Sequence, residues 1–265
     1  MAISPQTAEI LRSRAPNLFI EDAWRSSAGV AEWALTDLEG RRLRCADFQR
    51  DWHDLLASES RLLLEAFRGS GKTTHLRAYF LWRLGRNPNT IIKYITGDPE
   101  LALGFGDAML QDIEHNDALH QVFPGLLPDK TLWSKSKLRV RRGVTSDQAS
   151  FEADSILHGR AGGRADILSF DDPTTWRNTV AQPADREKVK LALRENWLPF
   201  IVPGGQIVFI YTPWHVNDAT AELERDPVWR HGRWPIRDAE DRATWPARFP
   251  DAEIERMRAD IRSPL

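Results

Sequence analysis

The run Arg61-Leu-Leu-Leu-Glu-Ala-Phe67 passes directly into Arg68-Gly69-Ser70-Gly71-Lys72-Thr73-Thr74, and a helical pattern follows. A buried strand, a glycine-bearing turn and a helix in immediate succession is the order that a Walker A loop requires. Glycines let backbone N–H groups turn inward around a β-phosphate, at the positive end of a helix. In that arrangement Lys72 reaches the β- and γ-phosphates, and the Thr73 hydroxyl sits on Mg²⁺. Gly69, Ser70, Gly71 and Thr74 complete the cradle. The first glycine of the usual pattern is Ala66 here. Alanine is the smallest replacement, so the loop is expected to close. Arg68 is unusual inside such a loop and supplies a second cation for the γ-phosphate. A chance turn is the alternative reading, and the flanking strand and helix argue against it.

About a hundred residues later comes Asp166-Ile-Leu-Ser-Phe-Asp171-Asp172-Pro173, which has the form of a Walker B strand. Apolar residues bury the strand, and carboxylates emerge at its C-terminal end, where open α/β sheets bind ligands. Asp171 is expected to hold the Mg²⁺, and Asp172 to polarise the attacking water. A glutamate usually does that second job, so the shorter aspartate must be brought closer. A third apolar run, Gln206–Tyr211, ends in Thr212-Pro213. In one large division of P-loop ATPases an extra strand lies between the Walker A and Walker B strands. Its terminal polar residue points at the γ-phosphate, a place Thr212 fits. A plain strand-to-turn Thr-Pro is the alternative.

These runs, with Thr90–Thr96, alternate with helical patterns at Thr73–Leu84, Pro99–His115 and Pro183–Leu198. The expected fold class is α/β: an ASCE-type P-loop NTPase with a mainly parallel central sheet between helices. Ser4-Pro5 starts a helix to about Ser13, and Gly85 with Pro88 reads as the stop of the helix after the loop. Residues 131–152 read as a strand or hairpin inserted before the Walker B strand. The expected organisation is an N-terminal helical region over 1–60, an ATPase core over 61–218, and a linker or small helical subdomain over 219–265. Composition adds exclusions. The longest apolar runs are too short to span a bilayer, the N-terminus lacks a signal-like apolar core, and one cysteine permits no internal disulfide. A net charge of −2 excludes a generic polycation.

The motifs together resemble the ATPase (motor) domain of large terminase subunits from tailed bacteriophages and prophages. The resemblance rests on the arginine-containing Walker A; on Gly159-Arg160-Ala-Gly-Gly-Arg164-Ala-Asp166 running into Asp171-Asp172-Pro173; and on Ile210-Tyr-Thr212-Pro-Trp214-His215. It rests also on Ile113 to Leu126 and on Thr244-Trp245-Pro246-Ala-Arg248-Phe249. It spans roughly residues 45–260. It implies an ATP-hydrolysing, Mg²⁺-dependent motor that translocates double-stranded DNA into a procapsid. It implies a homo-oligomeric ring on the portal protein, a small terminase subunit as partner, and action in the host cytoplasm without a membrane. It also implies an arginine reaching into the neighbour's site, with Arg160 the better match and Arg164 second. Full-length members add an RNase H-like nuclease, so this chain is expected to be a motor half without nuclease activity. The alternatives are a helicase-like DNA-dependent ATPase and a nucleotide-gated binding or assembly module without efficient hydrolysis.

Three further features stay open between two readings. Gln49 lies where many helicase-like ATPases place an adenine-binding glutamine, and an amide can read the adenine edge; the alternative is a core role. Lys135, Lys137, Arg139 and Arg141 alternate, which would put a positive stripe on one strand face for DNA phosphates. The plainer reading is an edge strand charged against aggregation. The tryptophans read as core, and the histidines show no metal-binding spacing.

Overall fold

The computed structural model describes residues 12–37, 39–158 and 163–262. Three helices come first: α1 (Pro16–Arg25), α2 (Ser27–Ala34) and α3 (Asp47–Ser58). Then follow β1 (Arg61–Ala66), α4 (Lys72–Arg86), β2 (Ile92–Thr96), α5 (Pro99–His115) and α6 (Asp117–Val122). A hairpin of β3 (Pro128–Trp133) and β4 (Lys137–Val140) leads to β5 (Phe151–Ser155) and β6 (Ala165–Asp171). The chain continues through α7 (Pro183–Leu191), β7 (Ile201–Tyr211), α8 (Ala219–Leu223), β8 (Arg230–Trp234) and α9 (Asp251–Arg262). The expected helix at Ser4–Ser13 lies largely outside the described residues. Among the described residues no helix is long and apolar enough to cross a membrane.

The strands form one sheet in the order β3-β4-β5-β2-β6-β7-β1-β8. From β5 to β8 every pairing is parallel, and only the β3–β4 and β4–β5 pairings are antiparallel. The apolar-throughout strands are buried on both faces, as such composition requires. On β1, Leu62 and Leu64 point into one core with Leu76 and Phe80 of α4, while Leu63 points into the other. Val208 and Ile210 of β7 join the first core, and Phe209 joins Val189, Leu193 and Trp197 in the second. The spacing of those last three residues is therefore the buried face expected of 183–198. That segment is not one α-helix, because α7 gives way to a π-helical turn over Ala192–Trp197.

Three expectations need correction. Gly85 does not stop α4, which runs on to Arg86. Gly85 instead lets the helix press on Phe123, where an added Cβ would lie 2.4 Å from the ring. Residue 218 is not the edge of the sheeted unit, because β8 lies beyond it and pairs in parallel with β1. Lys135 is not on a strand with Lys137 and Arg139, because it sits in the turn between β3 and β4.

Candidate nucleotide site

β7 lies between β1 and β6, so the C-terminal ends of the three strands are neighbours. Asp171 pairs in register with Ile210, and Glu65 with Tyr211. The residues just past those ends, Ala66 to Lys72, Asp172 and Thr212, therefore converge. The loop closes although Ala66 replaces glycine. Gly69 and Gly71 take φ of 81° and 93°, a region glycine enters without steric cost. Gly71 caps α4, whose first N–H groups have no intrahelical acceptor and point into the loop.

Lys72 Nζ donates to the Ala66 carbonyl at 2.8 Å and to Thr212 Oγ1 at 3.1 Å. Thr73 Oγ1 donates to Asp171 Oδ2 at 2.7 Å. The Thr212 amide donates to Asp172 Oδ1 at 2.8 Å. Side chains from three distant segments thus meet in two hydrogen-bonded sets, Lys72–Thr212–Asp172 and Thr73–Asp171, set side by side because 72–73 and 171–172 are chain neighbours. Asp172 adopts φ of 42°, left-handed backbone that a short polar residue tolerates better than most. That turn swings its carboxylate toward β7 at the strand end.

Burial, then the like charge of Asp172, pushes the Asp171 carboxyl up to about 7, against the Thr73 and Tyr94 hydroxyls and Lys72. Burial likewise raises Asp172, with Lys72 pulling it back. Burial lowers Lys72, although Asp172 and Asp171 oppose the shift. A buried carboxylate beside a second, part-buried one is an oxygen donor set suited to a hard divalent cation. The buried Ser70 hydroxyl has no hydrogen-bond partner. Positive-φ glycines, free helix N–H groups and this hydroxyl fit a phosphate, and Thr73 with Asp171 fits Mg²⁺. A cavity of about 330 Å³ opens beside them, lined by Thr73, Tyr94, Leu101, Phe105, Asp171 and Asp172 among others.

The loop rests on two supports. Beneath it, Gln49 is 1% exposed. Gln49 Nε2 donates to the Ser70 carbonyl at 2.7 Å, and its Oε1 accepts from the Ala46 amide at 2.9 Å. Both ends of the amide are engaged by main chain, so Gln49 braces the loop. Behind it, Ser27 Oγ meets His53 Nδ1 at 2.7 Å, and His53 Nε2 meets His75 Nδ1 at 2.9 Å. The His75 ring lies 3.2 Å from where a Gly71 Cβ would be. Burial lowers His75 to about 4, and burial with the neighbouring His75 lowers His53. Above the loop, Phe249 packs edge-on against Phe67 at 5.5 Å and covers Gly69.

The remaining expected residues are dispersed. Arg68 is exposed, its guanidinium 5.9 Å from the Trp214 ring centroid. Thr74 opens α4 beside the cavity. Arg160 lies outside the described residues. Arg164 precedes β6, so seven strand residues, roughly 20 Å, separate it from the Asp171 end. Of the basic stripe, Lys135 pairs with Asp107, Lys137 with Glu152 and Arg139 with Asp129. Sequence reading missed Tyr94, whose hydroxyl donates to Asp171 Oδ2 at 2.8 Å. A tyrosine inside the run Thr90–Thr96 was its signal, but only the sheet order puts β2 beside β6. His53 and His75 were missed because they are unrelated in spacing and meet only through packing.

No family model and no curated relative matches this sequence. Solved structures do. The bacteriophage HK97 large terminase superposes with a TM-score of 0.57 at 16% identity, covering 90% of this chain and 52% of that one. This chain therefore spans about half the length of that protein. The ATPase domain of the Thermus phage P74-26 large terminase superposes with a TM-score of 0.51 at 16% identity, covering 83% of this chain and 89% of that one. An arginine-to-alanine variant of the same domain gives 0.52. The chain shares the fold of phage large-terminase ATPase domains.

Proposed function

We propose that this chain is an ASCE-type P-loop ATPase, the motor domain of a DNA-packaging terminase large subunit. The observation that carries the proposal is the convergence of two hydrogen-bonded sets, Lys72–Thr212–Asp172 and Thr73–Asp171, at one end of the sheet. ATP would lie with its β-phosphate in the 69–74 loop. Lys72 would exchange its bonds to Ala66 and Thr212 for the β- and γ-phosphate oxygens. Thr73 and Asp171 would hold Mg²⁺, which when bound draws charge from the phosphate oxygens. Asp172 would orient a water in line with the γ-phosphorus and accept its proton as the new P–O bond forms and the bond to the ADP oxygen breaks. Thr212, touching both Lys72 and Asp172, would register whether the γ-phosphate is present. Arg68 would leave Trp214 to neutralise the γ-phosphoryl group.

Coupling to double-stranded DNA translocation, assembly as a ring on a portal, a small-subunit partner and a trans arginine from Arg160 belong to the same reading. Their support is the likeness of fold to the phage terminase ATPase domains. The decisive experiment is phosphate release with Mg²⁺ and ATP, measured against protein concentration, with and without double-stranded DNA. Wild type must exceed Lys72→Ala, and the specific activity must rise with concentration if a neighbour completes the site. Turnover equal to Lys72→Ala under all conditions, with nucleotide still bound, would leave the nucleotide-gated module as the better reading.

A further inference from the structure

The strand β2 carries one aromatic hydroxyl into the site from an otherwise apolar setting. Tyr94 is 2% exposed, and its hydroxyl donates to Asp171 Oδ2 at 2.8 Å. The same oxygen accepts from Thr73 at 2.7 Å. Two donors on one carboxylate oxygen fix the rotamer and leave Oδ1 as the oxygen free of these bonds. The Tyr94 ring stacks on Phe105 of α5 with centroids 3.9 Å apart and planes 17° apart. Phe105 in turn packs against Phe80 and Phe151. A buried hydroxyl without a partner is costly, so a ring needed only for packing would be served by phenylalanine.

We propose that Tyr94 is a positioning residue that holds Asp171 in its metal-binding orientation and ties that carboxylate to α5 through Phe105. When Thr73 turns toward a metal, Tyr94 keeps the carboxylate from swinging. The inference rests on the reading of Asp171 as the metal-holding carboxylate.

The test is Tyr94→Phe, which keeps the stacked ring and removes only the hydroxyl. Three quantities are read: nucleotide affinity in EDTA, Mn²⁺ affinity of the protein–nucleotide complex by electron paramagnetic resonance, and the Mg²⁺ concentration for half-maximal turnover. The expected result is Mn²⁺ affinity weaker by about tenfold and half-saturating Mg²⁺ raised in parallel, the scale of a lost hydrogen bond to a charged group. Nucleotide affinity in EDTA stays at the wild-type value. Unchanged metal affinity overturns the proposal, as does an equal loss of affinity in EDTA, which would mark a general packing defect. Phe105→Leu is the second variant. It leaves the hydroxyl in place, loosens its ring support, and is expected to shift Mn²⁺ affinity in the same direction by a smaller factor; no shift there, should Tyr94→Phe fail to fold, also overturns it. Lys72→Ala separates the two levels. If wild type binds nucleotide no better than Lys72→Ala, the nucleotide-site reading falls and takes this inference with it; if it binds better and Tyr94→Phe is silent, only Tyr94 loses its role.

Discussion

The loop end of the sheet and its β3–β4 edge both collect charged side chains, and they use them in opposite ways. At the loop end, Lys72 and Asp171 are buried and Asp172 part-buried; Thr212 bridges Lys72 and Asp172, and Thr73 holds Asp171. At the edge, Lys137 and Arg139 reach Glu152 and Asp129 across the surface. Buried charges must be satisfied by a few fixed partners, so removing one strands the others. Surface pairs exchange partners with water and contribute little. The contrast predicts that sensitivity to substitution falls steeply from one end of the sheet to the other.

On the proposed reading Lys72→Ala should have the largest effect, a loss of about 10³-fold or more in kcat/KM for ATP, because it removes the cation assigned to the phosphates. Asp172→Asn should follow, with kcat reduced by about 10²–10³-fold and nucleotide affinity retained. Single-turnover phosphate release and equilibrium nucleotide binding check both. Equal sensitivity of binding and turnover to Asp172→Asn would break the distinction between holding and reacting groups. Next, His53→Ala should cost about 1–3 kcal/mol in urea unfolding, since it leaves Ser27 and His75 without their buried partner.

A pH experiment sharpens the same comparison. Asp171 is raised from 3.8 to about 7. The folded chain therefore holds more protons than the unfolded chain between those values, and stability falls as pH rises through that window. His53 and His75 act the other way, their depressed proton affinity costing stability as pH falls below 6.5. Comparing wild type with Asp171→Asn cancels the histidines. The stability gained by the variant should grow between pH 4 and pH 7. A constant difference would mean that the carboxylate is not strained in the free protein. Lys137→Ala should do least, at most about 1 kcal/mol, and less at high salt.

How much could be read in advance follows the same division. The strand, loop and helix from Arg61 to Thr74 are contiguous, so local rules determine them. The insertion of β7 between β1 and β6 was legible because Thr212 ends an apolar run in the right place. β8 was not legible, since Arg-His-Gly-Arg-Trp has no strand signature. It joins the sheet because β1 has an open edge and Trp234 finds Trp52, edge-on at 5.9 Å. Gln49 was singled out by position as a reader of adenine, whereas its bond to the Ser70 carbonyl depends on how α3 lies under the loop. Tyr94 needed the sheet order, and the His53–His75 contact needed the packing of α3 on α4. Sequence pattern thus yields groups that act through their neighbours in the chain, and misses those that act through neighbours in space.

Phe249 against Gly69, and Trp245 against Phe48 at 5.7 Å, bring a distant part of the described chain onto the loop between β1 and α4. The consequence concerns when the site comes into being. Contacts between residues so distant in sequence form late, because the intervening chain must first be ordered. A ribosome that has released both β1 and β6 has not yet released the cover of the loop. Closure of the loop is therefore expected to lag behind formation of β1, β6 and β7.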